Sequence, residues 1–279
     1  MEKKKGNILT ILLVIIVVVL AAYIVVDKLN SKKTEEKTEE KTEEKVEENK
    51  DEPVKSEEEK DITNEANKKS YKKLVDMLEV SQLKDGNSNE SIFVSDLYLK
   101  DEVKSENLSD VSKYFSILSR SNELNWLDVS EEGSPLDSKV SAKEVVEAVK
   151  NLYGGEVSKY TDVVGGCPSY KYNKKTDEYE QYVGCGFGPG SETTSMIYKI
   201  TEKDNNSYVY VAVSYSEYEE DGKTTIYTGV DKKNKYTKAV KDGEDIINSS
   251  NYNEFSKYKY TFTKNNDGYN QFVKVEKLK

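Results

Sequence analysis

Tyr208-Val209-Tyr210-Val211-Ala212-Val213-Ser214-Tyr215-Ser216-Glu217 carries the period of two that a β-strand imposes. Val209, Val211 and Val213 fall on one face, and Tyr208, Tyr210, Ala212 and Ser214 on the other. The same period governs the chain on both sides of this stretch. Ser195 to Glu202 precedes it across a turn at Asp204-Asn205-Asn206, and Thr224 to Val230 follows Asp221-Gly222. Tyr258, Tyr260 and Phe262 then alternate with Lys259, Thr261 and Thr263, and Asn266-Asp267-Gly268 turns the chain into Tyr269 to Val275. Ser169 to Asn173 and Asp177 to Val183 read as a further hairpin, so about six strands are expected after Gly155.

Before Gly155 the period is that of a helix. Tyr71, Leu74, Val75 and Leu78 recur at i, i+3, i+4 and i+7 on a helix starting near Thr63. A second helix holds Leu108, Val111, Tyr114, Phe115 and Leu118, entered at Asn107 or Ser109. In the third, Ser141 and Glu144 have the spacing of a capping box. Its buried face is Val145, Val146, Val149, Leu152 and Tyr153, and Gly154-Gly155 end it. Ser91 to Leu99 is apolar and fits strand or helix. Helices followed by a meander predict an α+β domain with helices on one face of an antiparallel sheet. Its helical part spans 62–155 and its mainly β part 156–279. Those 218 residues suffice for one large domain or two small ones.

The chain ahead of this domain has a different composition. Ile8 to Val26 is an uncharged run of 19 residues, about 28 Å as a helix and close to one hydrocarbon thickness. Lys3, Lys4 and Lys5 before it favour a cytoplasmic N-terminus and a domain outside the cell, whereas Lys28, Lys32 and Lys33 pull the other way. A cleaved signal peptide with its site near Val19 and Ala21 is the rival reading. The run continues through Tyr23-Ile24-Val25-Val26, which favours an uncleaved transmembrane anchor over 8–26. Residues 27–61 carry 15 acidic and 9 basic side chains, with Leu29, Val46 and Val54 their only aliphatic groups. Such a segment cannot bury enough apolar surface to order itself, and it reads as a disordered Glu/Lys-rich tether.

Composition removes whole classes of function. The 279 residues contain no histidine and a single arginine, Arg120, among 42 basic residues, with a net charge of −10. Histidine-dependent triads and histidine metal sites are therefore excluded. An acidic chain almost without guanidinium argues against nucleic acid as a partner. Gly184-Cys185-Gly186-Phe187-Gly188-Pro189-Gly190 lacks the Lys-Ser/Thr of a phosphate-binding loop and opens no helix, so it reads as a loop leaving the hairpin. Ser70 with Lys73, and Ser81 with Lys84, match the spacing of penicillin-binding nucleophiles. Neither has the companion motifs, and lysine is so frequent here that such matches arise by chance. No catalytic, cofactor-binding or metal-binding residues are assigned, and no cofactor is expected. The 21 tyrosines are expected mainly on half-buried strand faces.

Cys167 and Cys185 are the only cysteines. In a hairpin centred on Thr176, positions summing to 352 face each other, which would set Cys167 against Cys185 and Tyr170 against Tyr182. Direct opposition is within disulfide reach, and an oxidising location would close the bond; two unpaired thiols are the alternative.

The lysine-rich start, single apolar run, Glu/Lys tether and closing Tyr258-x-Tyr260-x-Phe262 hairpin with Asn265-Asn266-Asp267-Gly268-Tyr269 form a recognisable architecture. It resembles that of single-pass, surface-exposed proteins of low-GC Gram-positive bacteria. The resemblance is one of architecture and carries no functional residues with it. Element order is similar to NTF2-like or cystatin-like folds. The resulting expectation is a membrane-anchored extracytoplasmic binding or assembly domain without catalysis. It would be held in the membrane through 8–26 and would meet a protein or cell-wall partner. The alternative is a carboxylate-dependent hydrolase of cell-wall glycans, which needs no histidine.

Overall fold

The computed structural model describes residues 58–84, 95–132, 134–155, 163, 168–183, 190–219, 222–240 and 244–279. The anchor expected at 8–26, most of the tether, Cys167, Cys185 and residues 184–189 lie outside the described residues. Among the described residues no helix is long and apolar enough to cross a membrane.

The strands are β1 (Lys60–Asp61), β2 (Glu102–Lys104), β3 (Leu127–Asp128), β4 (Leu136–Ser141), β5 (Ser169–Asn173), β6 (Glu178–Tyr182), β7 (Ser191–Lys203), β8 (Asn206–Tyr218), β9 (Thr224–Tyr227), β10 (Ser256–Lys264) and β11 (Asn270–Lys277). The helices are α1 (Glu65–Glu79), α2 (Asp110–Arg120) and α3 (Ala142–Tyr153). The class is α+β with antiparallel pairing, as the period change implies. The strands form two sheets, however, and not one. A seven-stranded sheet runs β1-β7-β8-β10-β11-β2 with β9 on β8, and a four-stranded sheet runs β3-β4-β6-β5. The second sheet escapes a sequence reading because β3 and β4 have few apolar residues and sit among the helices in the chain.

The three helices pack between these sheets. Tyr71 of α1 meets Phe262 of β10 with ring centroids 5.6 Å apart. Tyr114 and Phe115 of α2 meet Tyr179 and Tyr170 of the small sheet at 5.7 and 6.0 Å. α3 contacts β11 on one side and β4 and β6 on the other. On the large sheet Val209, Val211, Val213, Tyr258, Tyr260, Phe262, Phe272 and Val275 are all buried, which is the inward half of the period-two pattern.

α1 is capped by Asn64, one residue beyond the expected start, whose Oδ1 accepts from Asn67 N at 2.8 Å. α2 is capped by Ser109, which accepts from Ser112 N at 3.1 Å. Val111, one of the apolar residues expected on this helix, is exposed. α3 buries Val145, Val149, Leu152 and Tyr153 and ends at Gly154 with φ 70°. Its expected capping box does not form. Ser141 is also the last residue of β4, held in register with Glu178, and the Ala142 N–H donates to the Asp177 carbonyl at 3.0 Å. Glu144 turns outward and its Oε1 accepts from Asn125 N and Nδ2 at 2.6 and 2.9 Å.

The expected register of the 169–182 hairpin is also corrected. Tyr170 faces Gln181 and Ser169 faces Tyr182, one residue away from the register centred on Thr176. Asp177 adopts φ 57° and becomes the fourth turn residue, after Lys174, Lys175 and Thr176, where the sequence reading begins the strand at Asp177. The register argument for opposing Cys167 and Cys185 therefore falls away.

The expectation for tyrosine holds in part, since Tyr172, Tyr182, Tyr198, Tyr208, Tyr210 and Tyr227 are half-buried on strands. Tyr98, Tyr114, Tyr170, Tyr179, Tyr258 and Tyr260 are among the largest fully buried side chains. Here tyrosine fills the core that phenylalanine and leucine fill elsewhere, which obliges the fold to find partners for buried hydroxyls.

Candidate functional site

A groove of about 610 Å³ lies between α1 and β7, within the size range of ligand pockets. The exposed flank of α1 forms one wall through Glu65, Lys68, Lys69, Lys72 and Asp76. Glu192 to Ile197 of β7 form the other, with Arg120 from the end of α2 and Asp245 and Ile247 completing the rim. Lys68 pairs with Glu65 at 3.0 Å and Lys72 pairs with Asp76, so helical i,i+3 and i,i+4 spacing neutralises two of the cations. Lys69 and Arg120 make no ion pair among the described residues.

At the inner end of the groove stands Glu79, the last residue of α1. Tyr260 Oη donates to Tyr98 Oη at 2.7 Å, and Tyr98 Oη donates to Glu79 Oε1 at 2.6 Å. Tyr98 is fixed from a second side, since Tyr258 Oη donates to its carbonyl at 2.9 Å. The chain of hydroxyls thus links two adjacent inward positions of β10, Tyr258 and Tyr260, to the short 3₁₀ turn Asp96–Leu99 and on to the helix end. The Glu79 residue keeps some surface in the groove, but its carboxyl is enclosed by protein. Burial raises its pKa above the ordinary glutamate value, and nearby Asp76 adds to this. Lys72, Ser195 and Tyr98 oppose the rise without cancelling it. Burial likewise pushes the Tyr98 and Tyr260 hydroxyls up, so both remain donors. Ser195 Oγ lies beside Glu79 and is buried, yet it has no hydrogen-bond partner within bonding geometry.

β7 also presents backbone to this groove. β1 covers its outer edge only at Thr201 and Glu202. One step further, Ile62 N donates to Ile200 O at 3.0 Å and Ile200 N donates to Thr63 Oγ1 at 2.8 Å.

A second cavity of about 460 Å³ lies on the opposite flank of α1, lined among others by Ser70, Lys73, Glu144, Glu147 and Tyr269. Ser70 and Lys73 therefore share a cavity, but Ser81 is buried, bonded to Tyr153 Oη at 3.1 Å. Among the described residues no cluster of three or more acidic or cysteine side chains is placed to hold a metal.

Glu79 is absent from the sequence reading although a signal exists. It falls four residues after Val75, on the same stripe as Tyr71, Val75 and Leu78, so a charge interrupts an otherwise apolar face. The tyrosines that meet it lie about 20 and 180 residues away in sequence, and no local pattern announces them. Comparison with protein-family models, curated proteins and solved structures finds no match, so the site is read from its own chemistry.

Proposed function

We propose that this chain is a single-pass, membrane-anchored protein whose C-terminal α+β domain works outside the cell as a binding or assembly module. Residues 8–26 form the anchor with the N-terminus in the cytoplasm, and the Glu/Lys-rich segment ahead of Glu59 is the tether. Cys167 and Cys185 form a disulfide in that oxidising setting, a pairing that rests on compartment and no longer on register. The domain binds a protein or cell-wall partner and carries out no reaction of its own.

The observation that carries this reading is the groove between α1 and β7. It is open, polar and nearly charge-balanced, and among the described residues Lys69 and Arg120 have no ion-pair partner and no nucleophile-base pair lines it. Cross-linking on intact cells tests it. The full chain should capture a surface partner that the Lys69→Glu, Arg120→Glu chain loses at least tenfold. Equal capture by both would move the binding site elsewhere.

Glu79 favours one second reading, a carboxylate-dependent hydrolase of wall glycans. A buried carboxyl with a raised pKa is what a general acid requires, and the groove holds other carboxylates at Asp76, Glu192 and Asp245. Release of reducing ends from purified wall glycan by the full chain, lost on Glu79→Gln, would establish that activity in place of simple binding.

A further inference from the structure

β7 is 13 residues long, and β1 and the Ile62–Thr63 backbone shield its outer edge only from Ile200 onward. Pairing along β8 shows which groups face that edge. Val209, opposite Ile200, belongs to the set of β8 residues whose backbone turns to β10, because Ile200 sends both its N–H and its C=O outward. Val211 and Val213 follow by the period of two. Their β7 partners are Ile197 and Ser195, since the bulge at Tyr198 shifts the register by one. The amides and carbonyls of Ser195 and Ile197 therefore point out of the sheet into the groove, where no backbone group of the described residues pairs with them.

Edge strands are normally blunted by lysine, proline or a covering element. The segment of β7 ahead of the bulge, Thr194-Ser195-Met196-Ile197, has neither lysine nor proline, and the bulge at Tyr198 and Lys199 stand between it and the shielded part. At the far side of the same sheet the edge strand β2 has only three residues. β1 runs antiparallel to β7, so residues before Lys60 lead away toward Lys203.

We infer that this edge is a peptide-binding site, which adds an extended polypeptide segment of a partner protein as a further strand between β7 and α1. This deepens the reading of the domain as a binding module and rests on it. A row of outward amides and carbonyls recurring every second residue matches another backbone, and a glycan has no such repeat. The segment Thr194–Ile197 spans about 13 Å, enough for about four residues of strand. Residues of the added strand opposite Ser195 and Ile197 turn their side chains toward α1. There they meet the buried Ser195 hydroxyl beside Glu79 and the α1 flank, with Lys69 and Arg120 on the groove wall. The partner segment is thus extended and acidic at alternate positions.

The test uses the full chain in detergent and the capped heptapeptide Thr-Glu-Val-Glu-Val-Glu-Thr. Two derivatives are compared with it, one N-methylated at the three glutamates and one at the two valines. Strand addition predicts that one methylation series weakens binding at least tenfold while the other leaves it within about twofold, because alternate amides face β7 and solvent. Hydrogen exchange should show the Ser195 and Ile197 amides fast in the free chain and at least tenfold slower with peptide. Equal binding of both derivatives, amides already slow without peptide, or no peptide binding would overturn the proposal. So would saturation of the groove by a wall-glycan oligosaccharide with those amides still fast. If the full chain still captures a surface partner while the peptides fail, the binding module stands and the edge site falls.

Discussion

Glu79 shows how a single side chain couples this fold to its groove. Its carboxyl is enclosed and accepts from Tyr98, and burial raises its pKa. A raised folded-state pKa means that the fold favours the protonated form. The stabilisation this gives is complete below the unfolded value near 4.5 and is lost as pH rises through the folded value. Gln, which cannot ionise, escapes that loss. Glu79→Gln should therefore gain on the parent chain in urea unfolding at pH 8 compared with pH 4; a difference independent of pH would mean the carboxyl is solvated. Tyr98→Phe removes the hydroxyl between Tyr260 and Glu79 and leaves two polar groups without their bond, at a cost of about 1–3 kcal/mol. The interruption of the apolar stripe at Glu79 can be read from sequence. The hydroxyl chain cannot, because hydrogen bonding between Tyr98 and Tyr260 depends on how β10 and a distant 3₁₀ turn come together.

Helices were legible wherever apolar spacing alone decided burial, as in α3, whose Val145, Val149 and Leu152 are buried as the spacing requires. Its cap was misread because Ser141 belongs to two elements at once. The β4 ladder fixes its backbone, and the Asp177 carbonyl takes the first helical N–H. Three substitutions separate these contributions in urea unfolding. Ser141→Ala should cost less than about 0.5 kcal/mol, since its hydroxyl caps nothing. Glu144→Ala should cost about 1 kcal/mol through the lost bonds to Asn125. Val149→Asp should cost about 3–5 kcal/mol by burying an unpaired charge. A larger loss for Ser141→Ala than for Glu144→Ala would restore the capping box. The hairpin register failed for a similarly local reason. Asp177 in the left-handed region adds a turn residue, and one added residue shifts every cross-strand pair.

For the chain as a whole, the boundary between tether and domain decides what the domain needs in order to fold. The compact unit runs from Ser56 to Lys279, and the last residues of the expected tether are structural. Lys60 and Asp61 pair with Glu202 and Thr201, while Glu59 accepts from the Thr201 hydroxyl and, at 3.3 Å, from Tyr210 Oη. These bonds lower the Glu59 pKa, with Thr201 the largest cause and Lys199 and Lys259 adding to it. Composition could not reveal this, because Glu59-Lys60-Asp61 continues the charged pattern of the tether and pairs only through backbone and side-chain oxygens. A chain beginning at Lys55 should unfold in urea like one beginning at Asp27. A chain beginning at Ile62 loses the β1 ladder and the Glu59 contacts, and should be about 1–2 kcal/mol less stable. It also uncovers Thr201 and Glu202, lengthening the open edge of β7, so it should self-associate more readily at high concentration in sedimentation. Equal stability of all three chains would show that β1 is a passive end of the tether. Equal self-association would show that uncovering Thr201 and Glu202 does not invite strand pairing.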